Sequence, residues 1–348
     1  MLSPFLDPRS DRAAAATASV RVGAMTEDAS LGRRVLRNLA VLDAVPLLYF
    51  TLLASALLAT RNANCWGSLK DTSINWLIVM LTVVLVRGEL VRGVAASFLY
   101  RVGMLVPVVL SYFQLRWILP AITSRSLDHQ IYDFDLRVFH YEPSVAWDKY
   151  VSYGTTEWFA FFYFGYFLLL AVNVLPFLAM AKDGKLLRHF ITGLTAQFCI
   201  THLTYALVPG FGPYHELQYA HPLAGGVFWS LVLHSVHSAG ALKDIFPSLH
   251  TGAPTYIAIF AFVHRDKAPF KYVWPVLAFC ASQIIIATMF LRWHYLVDIV
   301  AGLSLAAFNV LFFAKVEGWE AARRERLGLT SVFGSAPLPW LIARLRRR

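Results

Sequence analysis

The chain has 348 residues, 57% of them apolar and only 15% charged, with a formal net charge of +10. A soluble domain carries about 25% charged residues, so this composition excludes a disordered chain, a nucleic-acid module and an ordinary cytosolic enzyme. The three cysteines, Cys65, Cys199 and Cys280, are too few and too scattered for a disulfide framework or a zinc knuckle.

Residues 1–38 carry Arg9, Arg12, Arg21, Arg33, Arg34 and Arg37 among alanines and small polar residues. No apolar run follows the first arginines, so this segment reads as a mobile cytoplasmic arm and not as a secretory signal. A helix that crosses a bilayer core needs about 20 mostly apolar residues. Eight stretches qualify, at 41–60, 73–88, 102–120, 157–180, 188–208, 247–264, 272–291 and 295–315. They predict an all-α integral membrane protein with a transmembrane domain over 39–315 and a basic cytoplasmic tail over 316–348. That tail ends in Arg344 and Arg346–Arg348 and suits anionic lipid head groups. Most of the 31 Lys and Arg fall on the arm, the tail and every second connection. By the positive-inside bias, eight crossings then place both termini in the cytoplasm.

Two stretches do not read as spans. Residues 121–156 mix Asp128, Asp133, Asp135, Glu142 and Asp148 with Ile131, Phe134, Leu136 and Trp147, which predicts amphipathic material on the outer membrane face. Residues 209–246 open with Pro209-Gly210-Phe211-Gly212-Pro213, a turn-rich run.

The chemistry-bearing residues cluster at the outer edge of the last three helices. Phe246-Pro247-Ser248-Leu249-His250 begins the sixth, and Arg292-Trp293-His294-Tyr295-Leu296-Val297-Asp298 joins the seventh to the eighth. One helix inward and one outward separate His250 from His294, so both return to the same surface. Pro247 suits a first helical turn, and the free N–H groups there, with the Ser248 hydroxyl, make a seat for an anion. Arg292 can give a phosphate two parallel hydrogen bonds. His294 and Asp298, four apart, share a helix face; the carboxylate fixes one imidazole nitrogen and leaves the other free to attack. His250 is placed to protonate a leaving oxygen. This set describes phosphoryl transfer through a phosphohistidine. A zinc site of His250, His294 and Asp298 is chemically open, but the neighbouring guanidinium argues against it, and no metal or other cofactor is expected. His202 reads as an interhelical hydrogen bond, the Trp158–Phe167 run as packing and lipid-facing surface, and Asp43 as the partner of a nearby arginine.

These motifs resemble the type-2 phosphatidic acid phosphatase superfamily, whose second and third motifs read Pro-Ser-x-His and Arg…His-x-x-x-Asp. Leu249, the compact Arg292-x-His294-Tyr295-x-x-Asp298 and the run Val208–Tyr214 are closer to its inositol phosphorylceramide synthase-like (inositolphosphotransferase) branch. The resemblance covers about residues 120–315 and implies a six-helix catalytic bundle there. It assigns His294 as nucleophile, Asp298 as its partner, His250 as general acid, and Arg292 and Ser248 as phosphate ligands. The superfamily's first motif, Lys followed six residues later by Arg-Pro, is absent; Lys243 is the lysine in the preceding loop that could replace its charge. The partners implied are a lipid substrate and a lipid or alcohol acceptor, handled at the outer membrane face. Hydrolysis of phosphatidic acid or a polyprenyl (pyro)phosphate is the alternative, and a non-catalytic transporter or scaffold a distant one.

Overall fold

The computed structural model describes residues 30–60, 65–180, 184–239, 241–334 and 336–345. Arg9, Arg12, Arg21 and Arg346–Arg348 lie outside the described residues. The helices are α1 (Leu31–Asn38), α2 (Val41–Ala59), α3 (Trp66–Arg87), α4 (Gly93–Ile122), α5 (Asp128–Phe139), α6 (Tyr153–Met180), α7 (Gly184–Leu207), α8 (Val227–Ala239), α9 (Leu249–Val263), α10 (Phe270–Phe290), α11 (Leu296–Arg326) and α12 (Pro337–Leu345). The only extended pairing among the described residues is one parallel bridge between Gly210 and Asp244. The chain is an all-α integral membrane protein.

Eight of these helices correspond to the eight apolar stretches. Six of them (α2, α3, α4, α6, α10 and α11) are long and apolar enough to cross a membrane. The other two are the centre of the bundle, and their composition follows from that position. α7 has 24 residues and packs on α2, α4, α9 and α11. Its polar side chains meet protein and not lipid: Arg188 Nε lies 2.9 Å from Glu317 Oε2, and Asn309 Nδ2 donates to Gln197 Oε1 at 2.9 Å. Buried polar groups satisfied across helices are the membrane solution to this problem. The Tyr49 hydroxyl lies 3.4 Å from His202 Nδ1, the interhelical contact the sequence predicts. α9 has only 15 residues, about 22 Å at 1.5 Å per residue, shorter than the helices around it.

Several helix bounds differ from the sequence reading. α3 starts at Trp66 and α4 at Gly93, because Gly, Ser and Lys near helix ends lower local hydropathy without stopping a helix. α11 runs on to Arg326, carrying what composition reads as tail back onto the protein: Arg323 and Arg324 donate to the Leu39 and Asn38 carbonyls at 2.8 and 3.1 Å. Only five of the eight long helices follow residue 120, so α4, packed on α7, is the sixth helix around the site.

At this same end Asp43, 0% exposed, accepts from Arg87 Nε at 2.7 Å and the Tyr100 hydroxyl at 2.6 Å. Removing one member of a buried pair strands the other charge. Arg87→Ala is expected to destabilise the protein by about 3–5 kcal/mol, read as a loss of thermal stability in detergent; Asp43→Asn/Arg87→Met together should recover part of it.

Candidate active site

The opposite end of the bundle is organised by carboxylates. Asp135, expected on an exposed amphipathic segment, is 0% exposed; it accepts from the Leu296 and Val297 amides at 2.7 and 3.0 Å and so caps α11. Asp128, also buried, accepts from the Phe211 and Gly212 amides at 2.8 and 2.7 Å. Glu142 caps the turn Pro143–Ala146 through the Ser144 amide at 3.0 Å. Asp128, Asp135 and Glu142 therefore serve as helix and loop anchors, because a first-turn N–H has no intrahelical acceptor and a carboxylate completes it; Asp133 stays exposed beside His129. Burial pushes the Asp135 carboxyl up to about 7 despite those amides.

Anchored this way, the loop at Pro209–Tyr214 lies on the turn that carries His294. The Tyr214 amide donates to the Arg292 carbonyl at 2.9 Å. Gly212 sits at φ +101°, and a Cβ there would lie 2.3 Å from the Trp293 carbonyl oxygen. Arg292 itself takes a left-handed φ of +69°.

α9 begins with Ser248 as its N-cap, whose hydroxyl accepts from the Thr251 amide at 3.2 Å; Pro247 precedes the cap instead of occupying the first turn. The Ser248 amide donates to the Asp298 carbonyl at 3.0 Å, joining the two motifs directly. That contact requires Gly302 on α11, where a Cβ would meet the Ser248 carbonyl at 2.6 Å.

The outcome is a compact pair. His294 Nδ1 lies 3.4 Å from Asp298 Oδ2, which also accepts the Tyr295 amide at 2.9 Å. His250 and His294 have ring centroids 6.3 Å apart and line one pocket with Asp244, Tyr214 and Trp293. Tyr163 stacks on His250 at 4.4 Å and Tyr166 tilts against it at 4.3 Å. His250 Nε2 and Asp298 Oδ1 are buried with no hydrogen-bond partner. Desolvation pulls His294 down to about 4, against the opposing pull of Asp244.

The remaining predicted site residues are placed elsewhere. Arg292 Nη2 binds Asp148 Oδ1 at 2.9 Å and the His221 carbonyl at 2.5 Å, and its guanidinium lies over Tyr219 at 3.8 Å. The Lys243 ammonium meets the carbonyls of Thr123, Ser124 and Arg125 at 3.4, 3.1 and 3.1 Å. Its three donors are engaged at the end of α4, and Lys243 is absent from the histidine pocket's lining. No Arg or Lys lines the histidine pocket among the described residues.

Two features escaped the sequence. The run Trp158–Phe167, read as packing, supplies the clasp of His250; the signal was Tyr163 and Tyr166, hydroxylated residues three apart in a phenylalanine-rich helix. Asp244 is held by the Tyr112 hydroxyl at 3.0 Å, next to the lysine that drew attention instead. His215, His221, His234 and His237 stay out of the pocket lining. No group of three or more His, Cys, Asp or Glu among the described residues is placed to hold a metal ion.

An imidazole held by a carboxylate can attack phosphorus only while neutral. With His294 near 4, its nitrogen stays unprotonated throughout the neutral range. The acid limb of kcat/KM, which reports the free enzyme, is expected to fall near pH 4 and not near the ordinary histidine value of about 6.5. A pH–rate profile on one substrate, with activity re-assayed at neutral pH after each acid exposure, checks this.

An all-helical membrane protein with two histidines and a carboxylate gathered in and beside one pocket fits membrane-embedded phosphoester chemistry. The PAP2 superfamily model matches residues 129–312, more than half of the 348 residues, and the chain belongs to that superfamily. Membership supports an enzyme of the phosphatase or phosphotransferase type acting on a lipid phosphoester. No curated protein and no solved structure matches the chain.

Proposed function

We propose that this protein is a membrane phosphotransferase, similar to inositol phosphorylceramide synthases, that moves a phospho head group from a lipid phosphoester to a lipid or alcohol acceptor. The observation that carries the reading is the pairing of His294 with Asp298 at 3.4 Å in a pocket shared with the unpartnered Nε2 of His250. In the first step His294 Nε2 attacks phosphorus, the bond to the leaving oxygen breaks, and His250 gives that oxygen its proton. The negative charge of a bound phosphate favours the protonated form of His250 needed for this. In the second step the acceptor hydroxyl loses its proton to His250 and attacks the phosphohistidine, freeing His294. Asp298 holds the imidazole in the reactive tautomer throughout.

Arg292 and Ser248 are assigned to phosphate by the motif resemblance. For Arg292 this requires the phosphate to displace Asp148, a like-for-like exchange of one anionic oxygen partner for another. The absence of an Arg-Pro pair anywhere in the chain favours transfer over simple hydrolysis. The charge bias of the connections supports reading both termini as cytoplasmic and the site as lying on the outer face. The chemistry needs no metal, so activity is expected to persist in chelator and to be inhibited by vanadate.

The test is purified protein in detergent with a panel of phospholipids and lipid phosphates, with and without ceramide or diacylglycerol, read by mass spectrometry. A new phospholipid formed only with acceptor supports the reading. Free phosphate released without acceptor makes the protein a lipid phosphate phosphatase instead. Activity abolished by chelation and restored by zinc contradicts the mechanism.

A further inference from the structure

A second cavity, of about 410 Å³, adjoins the histidine pocket and shares Tyr112, Phe113, Phe167, Asp244 and His250 with it. Its lining is almost wholly apolar. One side wall is α4, through Val109 and Phe113; the other is α6, through Phe167 and Val174; the back is α7, through Leu194 and Phe198. Two of its lining residues reach the surface: Phe113 and Leu175 are 48% and 61% exposed.

Beyond the lining residues, the two side walls are joined. Arg101 on α4 reaches across to α6, where its Nη1 donates to the Phe177 carbonyl at 3.2 Å and also to that of Leu178. α12 packs on both α4 and α6. The two helices are therefore tied together at one end and held apart above it. From Tyr166 to Leu175 the cleft follows nine residues of α6, about 13 Å of helix and room for roughly ten carbons of an extended chain.

We propose that this cleft is the binding site for one hydrocarbon chain of the lipid substrate, with α4, which precedes the segment matched to the superfamily, as its second wall. The inference rests on the lipid phosphoester reading above and adds where the chain lies. The lining selects the occupant: it is apolar almost throughout and follows a single helix for about 13 Å, the footprint of one alkyl chain. Continuity with the histidine pocket sets the direction, with the polar head at His250 and His294 and the chain running toward Arg101. Lipid tails are as apolar as the cleft wall, so leaving the bilayer gains little free energy. The cleft acts instead by orientation, fixing the phosphorus against His294.

Two measurements test this. The first uses the His294→Ala variant in vesicles with a phosphatidic acid carrying a diazirine along one acyl chain, and maps the photo-adducts by mass spectrometry. Adducts concentrated on residues 105–113 and 166–175 support the site, and they do so independently of turnover, so they stand even if the transferase reading fails. Adducts spread evenly over the lipid-facing sides of α2, α3 and α10 overturn it. The second compares long-chain and short-chain forms of a turned-over substrate in Val109→Trp and Ala171→Trp, which fill the cleft from opposite walls. The long-to-short ratio of kcat/KM should fall roughly tenfold in both. An unchanged ratio in either folded variant overturns the proposal.

Discussion

Replacing His294 by alanine is expected to lower turnover at least about 10⁴-fold, because it removes the nucleophile and not merely a contact to substrate. Its loss leaves the buried Asp298 carboxylate with the Tyr295 amide as its partner, so some loss of thermal stability is expected beside the loss of turnover. Asp298→Asn keeps the shape of the partner but accepts the wrong proton arrangement on the imidazole. It is expected to lose about 10²–10⁴-fold in kcat, on the pattern of other carboxylate–histidine pairs. Because the two residues act as one unit, the double variant should be no worse than His294→Ala alone. Steady-state kinetics on the three variants, with circular dichroism as a folding control, decides the matter. Retention of a tenth or more of wild-type kcat in His294→Ala would remove His294 from the chemistry.

The second large effect is expected away from any titratable group. Gly212 has φ +101° and ψ 169°, a region open essentially only to glycine. Its missing Cβ would stand 2.3 Å from the Trp293 carbonyl oxygen, one residue before His294. Gly212→Ala must therefore either strain the loop or push the His294 turn away from it. The backbone strain alone costs about 1–3 kcal/mol, and a displacement of the nucleophile by an ångström costs on the order of 10²-fold in rate. The expected result is a modest loss of thermal stability with a disproportionate loss of kcat. Gly154→Ala, where nothing lies within 4 Å of the added Cβ, is the matched control and should change neither.

Much of the molecule was legible from residues alone, for identifiable physical reasons. Eight apolar stretches gave eight helices, since a bilayer leaves the backbone few ways to satisfy its hydrogen bonds other than within a helix. The pairing of His294 with Asp298 was expected from helical spacing, but His294 precedes α11 and its N-cap Tyr295, so the contact closes over the first turn and not along a helix face; the proximity of His250 followed from two short-linked helices. Asp43 was expected to find an arginine, and Arg87 is that arginine. What sequence patterning could not reach was contact across distant segments. Asp128 and Asp135 read as exposed acids because only the fold brings them to the amides of Phe211, Gly212, Leu296 and Val297. Tyr163 and Tyr166 read as two more aromatics in an aromatic helix until α6 lies against α9. Lys243 drew attention as a charge near the site, but its direction was invisible; the side chain closes α4, and Asp244 beside it faces the histidines. Arg292 shows the same limit, since its engagement with Asp148 depends on a residue 144 positions away.

The central claim is a covalent phosphohistidine on His294. The most direct test incubates the purified protein with ³²P-labelled lipid phosphoester without acceptor, quenches in alkaline detergent to preserve the acid-labile bond, and maps the label by mass spectrometry. Label on His294 in the wild type, chased away by added acceptor and absent from His294→Ala, is the predicted result. Label on another residue, or undiminished turnover in a protein that never carries label, would contradict it.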